Sequence, residues 1–273
     1  MTRLVSDSFW KLQYRRLNTG LAWCVFGLGG LLLSLTLFSY LRIIEKDPRI
    51  RCRKARQYIS GVFQCYFRLL DRLDVLSIDV SRLMQLKDKK GIIVIANHPT
   101  ILDYVAITSC LPQIDCVVKA SLRHNFFLKN VIQSADYLSN EGALELIDEC
   151  VLRLNRGENI LVFPEGTRSS RYEPIKLKRG VAHVALRARC DIAVVHIRSS
   201  HHWLDKESQW YEIPPVKPSL ILSFARMIHA EDFLSEYEDG YSLASRRLTE
   251  AIRKELSSIV CWGDDVELIS KRE

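Results

Sequence analysis

Apolar and polar positions change period several times along this chain. From 17 to 41 no charged residue occurs, and the stretch LAWCVFGLGGLLLSLTLFSYL is almost wholly apolar. That length suits a helix in a bilayer core of about 30 Å, and apolarity on every face separates it from the striped helix of a globular core. From 58 to 73 the pattern becomes helical with one broad apolar face, carried by Ile59, Val62, Phe63, Tyr66, Phe67, Leu69, Leu70 and Leu73. A strand-like alternation follows at 75–80, then the turn Lys87-Asp88-Lys89-Lys90-Gly91 and a short aliphatic run at 91–96. That run has the character of a strand buried on both faces, as parallel sheets require.

Downstream, helical and strand-like segments alternate. Helices are expected at 100–111, with Pro99 in the first turn and Pro112 ending it, and at 140–155, 178–188 and 242–260. Strands are expected at 116–119, 159–163, 192–197 and 220–224. The alternation predicts an α/β fold: a mostly parallel central sheet covered by helices on both faces, preceded by a hydrophobic membrane helix and an amphipathic helix. Two units are expected, membrane-associating helices over 1–73 and an α/β domain over 74–273.

Charge changes the picture mainly by its position. The chain of 273 residues carries a net charge of +7. Arg3, Lys11, Arg15 and Arg16 precede the apolar stretch, and Arg42, Lys46, Arg49, Arg51, Arg53, Lys54 and Arg56 follow it. Cations beside an apolar anchor read as a collar for an anionic membrane surface, and their bias keeps the following domain cytoplasmic. The apolar region is too long for a cleaved signal peptide and lacks a small-residue cleavage site, so a retained anchor is expected. Nucleic acid is not an expected partner, because no binding module or aromatic interleaving accompanies the basic residues. The eight cysteines have no CxxC or Cys/His metal spacing and read as buried free thiols in a reducing compartment. The pair His201-His202 lacks a third ligand at suitable spacing and reads as a solvated loop; no metal is expected.

Two motifs carry the chemistry. Asn97-His98-Pro99-Thr100-Ile101-Leu102-Asp103 follows the 92–96 strand, and Phe163-Pro164-Glu165-Gly166-Thr167-Arg168-Ser169 follows the 160–163 strand. Each therefore lies at the carboxyl end of a buried strand, where open α/β sheets hold their sites. His98 is the histidine at a strand end beside a helix start, and an imidazole with a free pKa of about 6.5 suits general-base work. Asp103 is placed to accept from its other ring nitrogen. Arg168 offers a planar fork for phosphate or carboxylate, and Gly166 and Thr167 offer backbone and hydroxyl donors. Glu165 is expected either to orient Arg168 or to bind an acceptor hydroxyl, with Asn97, Lys119 and Arg179 as further binding candidates.

The two boxes, HX4D and FPEGTRS in this order, resemble those of the lysophospholipid acyltransferases related to bacterial 1-acylglycerol-3-phosphate acyltransferase, with fitting context over 75–224. The resemblance implies transfer of a fatty acyl group from acyl-CoA or acyl carrier protein to the hydroxyl of a lysophospholipid-like acceptor, without a cofactor, at a bacterial inner membrane. It also implies acceptor binding by Glu165, Gly166, Thr167 and Arg168. No G-x-S-x-G elbow occurs, so the acceptor hydroxyl itself is expected to attack. Gly27, Gly29 and Gly30 would permit the bend by which related enzymes fold an N-terminal helix pair into one leaflet. Two departures bear on the acceptor. Asn140 stands where the family's middle motif has arginine, and Ala193 and His196 stand where a later strand commonly has prolines. They leave open the same chemistry on a non-glycerophosphate acceptor in a specialised lipid or polyene pathway. A membrane lipid-binding protein without turnover is the reading from another class.

Overall fold

A computed structural model describes residues 8–118, 120, 129–140, 142–235 and 240–263. The apolar stretch lies in a helix, α1 (Phe9–Leu35), which continues after a break at Thr36 into α2 (Leu37–Ile44). The break is not at the glycines. Gly27, Gly29 and Gly30 stay helical, while Thr36 sits at φ −102°, ψ −78° with its hydroxyl donating to the carbonyl of Leu32 at 2.7 Å. Hydroxyl back-bonding of this kind competes with the backbone ladder and bends helices.

The faces of α1 are sorted in reverse of a soluble helix. Its buried residues are Arg15, Asn18, Thr19, Ala22 and Ser34, whereas Trp10, Leu17, Leu21, Leu28 and Leu32 are exposed. Arg15 is not part of an outward basic flank: it is fully buried, with Nε donating to the carbonyl of Asp74 and Nη2 paired to its carboxylate, both at 2.8 Å. Its positive charge is compensated inside the protein.

The next helix, α3 (Pro48–Arg72), starts ten residues before the apolar periodicity does. Asp47 caps it by accepting from the N–H groups of Arg49 and Ile50, and Pro48 occupies the first turn, where its missing N–H is harmless. Arg56 of this helix also leaves the expected collar. It is buried against Asp115 at 3.1 Å and donates to the carbonyl of Ala135 at 2.9 Å.

Among the described residues seven strands build the sheet: β1 (Ser77–Asp79), β2 (Ile93–Ala96), β3 (Ile114–Val118), β4 (Leu138–Ser139), β5 (Asn159–Val162), β6 (Asp191–Ser199) and β7 (Ser219–His229), in the order β1-β7-β6-β2-β5-β3-β4. All neighbours are parallel except β6 and β7. Side chains alternate between two cores, as the strand period demands. Val94, Ala96, Leu161, Ala193 and Val195 face the layer that includes α3, α4 (Asp103–Cys110) and α5 (Lys129–Ala135). Ile93, Ile95, Ile160, Ile192 and Val194 face α6 (Ala143–Asn155), α7 (Gly180–Ala188) and α9 (Tyr241–Ser257), with the short α8 (Ala230–Ser235) beside them. Helices on both faces of a mostly parallel sheet are the expected architecture.

Between α1, α2, α3 and α5 runs an apolar groove of about 730 Å³. Gly27, Gly29 and Gly30 line it together with Phe38, Phe63 and Tyr66. A Cβ built on any of the three glycines would meet nothing within 4 Å, so the space beside them is open. Phe63 packs edge-on against Tyr104, the residue after Asp103, with ring centres 6.1 Å apart. The groove therefore ends close to the start of α4.

Candidate active site

Strands β2 and β5 are parallel neighbours, with Ile95 opposite Val162, so the loops leaving their carboxyl ends are adjacent. The His98 ring lies on Phe163 at 4.1 Å between centres and 20° between planes. The backbones are stitched as well. The N–H of His98 donates to Glu165 Oε1 at 3.2 Å and Ser169 Oγ at 3.1 Å, and the N–H of Ser169 donates to the carbonyl of His98 at 2.8 Å. The two boxes are thus held side by side at the strand ends.

His98 Nδ1 lies 2.8 Å from Asp103 Oδ2, and Asp103 is fully buried. The same carboxylate accepts from the N–H of Thr100 at 2.8 Å and from its hydroxyl at 2.6 Å. An ionised carboxylate only accepts, so the contact favours the tautomer that carries its proton on Nδ1 and leaves the Nε2 lone pair free in the neutral ring. The His98 side chain is 19% exposed, so the ring is partly open to the surface. The helix here starts later than its sequence indicates. Residues 99–102 form a turn over the Asp103 carboxylate and α4 begins at Asp103, because the Thr100 bonds to this side chain compete with helical pairing.

Asn97 is not at the surface of the site. It is fully buried, and its amide bridges β2 to β6 by donating to the carbonyl of Ile197 and accepting from the same residue's N–H, both at 2.8 Å. Both ends of the side chain are engaged, which makes it a fastener rather than a ligand contact. Glu165 does not orient Arg168. Its Oε1 turns inward to the N–H of His98 and to the hydroxyl of Ser169 at 2.7 Å, and burial pushes its carboxyl above the ordinary range, opposed by the Ser169 bond.

Gly166 adopts φ +69°, and its N–H closes a turn onto the carbonyl of Phe163 at 3.0 Å. Gly166 and Thr167 are exposed. The half-buried Arg168 donates through Nη1 to the carbonyls of Leu204 (3.2 Å) and Asp205. The carbonyl of Leu204, a residue held at φ +56°, also accepts the N–H of Ile101 at 3.0 Å, so one loop ties both boxes. The buried Asp205 carboxylate knots that loop by accepting from the Ser208 N–H and from Arg171, both at 2.7 Å. This anchor escaped the sequence reading, since nothing in the spacing of residues 204 and 205 pairs them with 101 and 168.

Arg179 is exposed at the start of α7; its carbonyl accepts the N–H of His183 at 3.1 Å, while its side chain makes no hydrogen bond or ion pair with the described residues. Its neighbour Lys178 is the one that reaches the second box, with its N–H on the carbonyl of Pro164 at 2.9 Å. Lys119 lies outside the described residues. Asn140 is exposed, and its Oδ1 accepts from the N–H of Ala120 at 2.8 Å. The paired histidines have separate partners: His201 bonds Ser200 Oγ, and His202 lies 3.6 Å from Asp205 and packs on Trp262.

Residues 77–198 match the family model described as acyltransferase. Two Caenorhabditis elegans proteins, acl-1 and acl-2, are each provisionally named 1-acyl-sn-glycerol-3-phosphate acyltransferase. They are 34% identical over 124 residues and 30% identical over 129 residues, covering 42% and 44% of this chain. The chain spans about half the length of these relatives, 47% and 45%. The crystal structure of the 1-acyl-sn-glycerophosphate acyltransferase PlsC from Thermotoga maritima superposes with a TM-score of 0.67 at 18% identity, covering 94% of this chain and 96% of that one. At that identity the likeness is one of fold. Both boxes, held on adjacent strand ends, lie inside the segment of residues 77–198 that matches the acyltransferase family model.

Proposed function

We propose that this protein is a membrane-bound O-acyltransferase that moves a fatty acyl group from a thioester to the hydroxyl of a lysophospholipid-type acceptor, with 1-acylglycerol-3-phosphate as the leading candidate. The observation that carries the reading is the buried Asp103 carboxylate on His98 Nδ1, 2.8 Å away, with the ring stacked on the second box. The names of the Caenorhabditis elegans relatives support the acceptor class.

In this reaction His98 Nε2 takes the proton of the acceptor hydroxyl as its oxygen attacks the thioester carbonyl. Asp103 stabilises the imidazolium that forms. The carbon–sulfur bond then breaks, and His98 returns the proton to the departing sulfur, giving an ester and a free thiol. Direct attack by the alcohol accounts for the absence of a serine-elbow motif. Positioning and general-base help of this kind contribute about 10² to 10⁴ in rate. Arg168, Gly166 and Thr167 receive the acceptor's anionic end, and a coenzyme A or carrier-protein thioester supplies the acyl group.

The acyl chain has a fitting place in the groove lined by Gly27, Gly29 and Gly30, which leads toward Tyr104 beside Asp103. The outward apolar face of α1 supports insertion of that helix into a lipid leaflet, with the exposed Lys46, Arg49 and Arg53 at the headgroups. The membrane-associating unit then comprises 1–73 and the catalytic unit 74–273, facing the cytoplasm. A second reading keeps this chemistry but changes the acceptor to one without glycerol phosphate. It is favoured by the neutral Asn140 in the middle motif.

The test uses the full chain in phosphatidylcholine vesicles with acyl-CoA or acyl carrier protein and a panel of acceptors, identifying new esters by mass spectrometry. Diacylglycerol phosphate formed from the lysophosphatidate is the expected product. Thioester that persists with every acceptor would overturn the proposal in favour of a lipid-binding protein.

A further inference from the structure

We propose that Lys178 is a second cation, beside Arg168, that receives the acceptor's phosphate, as a specificity-determining residue next to the second box. The inference rests on the acyl-transfer reading above and names a group which that reading leaves out.

The charges around the box are unequally engaged. Arg168 has Nη1 committed to the carbonyls of Leu204 and Asp205. Arg171 is paired with the Asp205 carboxylate at 2.7 Å, and Lys176 with Glu173 at 3.1 Å. Asn140 contributes no charge in the middle motif, and its carbonyl oxygen is held by Ala120. Glu165, the acid next to the turn, points Oε1 inward at His98 and Ser169.

Lys178 differs from all of these. Its backbone N–H is fixed on the carbonyl of Pro164, and its side chain folds back over Gly166. A Cβ built on Gly166 would lie 2.9 Å from both Cε and Nζ of Lys178, so glycine at this position leaves the room that the ammonium occupies. The φ of +69° requires glycine there for a second, independent reason. Among the described residues the exposed Lys178 ammonium has no carboxylate or hydrogen-bond partner. A positive charge thus stands uncompensated on the exposed turn of residues 166 and 167. The other end of that turn is bound to His98 through Phe163, Glu165 and Ser169.

A phosphate monoester is the ligand this arrangement fits. It carries up to two negative charges and several acceptor oxygens, which a compact ammonium meets as a point charge while backbone and hydroxyl donors meet the rest. One acceptor molecule would then place its phosphate at Lys178 and Gly166 and its free hydroxyl at His98.

The experiment compares wild type, Lys178→Gln and Lys178→Arg, as full chains in phosphatidylcholine vesicles at saturating acyl-CoA. Acceptors are 1-acylglycerol-3-phosphate and the phosphate-free monoacylglycerol. Loss of a charge-assisted bond predicts a KM for the phosphate-bearing acceptor raised about tenfold or more in Lys178→Gln, with kcat within about threefold. Monoacylglycerol turnover should not change, and Lys178→Arg should recover most of the affinity. In a second readout, independent of turnover, amine labelling of Lys178 in the wild type should be slowed by 1-acylglycerol-3-phosphate and not by monoacylglycerol. An unchanged KM with no protection, or equal losses on both acceptors, overturns the role of Lys178 even if acyl transfer is confirmed. Protection of Lys178 without any acyl transfer would overturn the catalytic reading and leave the phosphate site standing.

Discussion

Replacing Asp103 by Asn isolates the electrostatic part of the proposed mechanism, because the geometry has a way to survive the change. The Asn oxygen can still accept from Thr100 N–H and His98 Nδ1, both 2.8 Å from Oδ2 in the native site, while its NH₂ faces the Thr100 hydroxyl, which turns to accept. What disappears is the negative charge opposite the imidazolium. With charge centres about 4 Å apart and an effective dielectric of about 20, that charge is worth about 4 kcal/mol. Such a loss corresponds to a fall in kcat of about a thousandfold. The assay is thiol release from acyl-CoA at saturating acceptor, with a thermal melt and circular dichroism run on the same preparation. The melting temperature should move by only a few degrees, since the buried side chain keeps its shape and its bonds. A variant retaining more than about a tenth of the wild-type kcat would refute the idea that Asp103 acts through its charge, whatever its Tm.

Other expectations follow from the same coordinates. Asp115 is fully buried and holds Arg56 and Arg153, so Asp115→Leu leaves two buried cations without their common partner and should cost about 3–5 kcal/mol, measured by denaturant unfolding. Gly29→Leu projects a side chain into the open groove, and acyl-CoA chain-length profiles should shift toward shorter chains at about 0.8 kcal/mol per methylene excluded, with the shortest donors unaffected. Burial holds the His196 imidazole below its ordinary pKa, helped by Arg198 and opposed by the Glu255 carbonyl it bonds at 3.2 Å. The unfolded chain therefore takes up that proton first, and stability is lost as pH falls through the ordinary histidine range near 6.5. His196→Gln should flatten that part of the stability profile in melts from pH 7.5 to 5.5.

The legible parts of the sequence were those whose burial is symmetric or whose motif is local. The all-aliphatic β2 and the aliphatic run after Asn159 in β5 declared themselves because both faces of the sheet are covered there, and the placement of the boxes at their ends followed. The mixed tail of β7 did not. Residues 226–229 pair with β6 past the register shift between Val194 and Val195, where Ala225 is left unpaired, so their extended form comes from a partner rather than from alternation. The two-residue β4 is too short for any period to register, and α5 carries only seven residues of mixed polarity. The early start of α3 was signalled by Asp47-Pro48, a cap and first-turn pair hidden by the weak apolar pattern of its first turns. At the site, His98 and Asp103 were readable from spacing, whereas the inward turn of Glu165, the fastening role of Asn97 and the approach of Lys178 to Gly166 depend on backbone directions set by distant strands.

The most direct test of the account is the acceptor-dependent rate of thioester consumption by purified full chain in vesicles, wild type against His98→Ala. The account predicts consumption that requires the lysophospholipid hydroxyl, yields the new ester mole for mole, and falls by about 10² to 10⁴ in the folded variant. A His98→Ala protein that transfers acyl groups at the wild-type rate, or a wild type whose thioester loss ignores the acceptor, would contradict it.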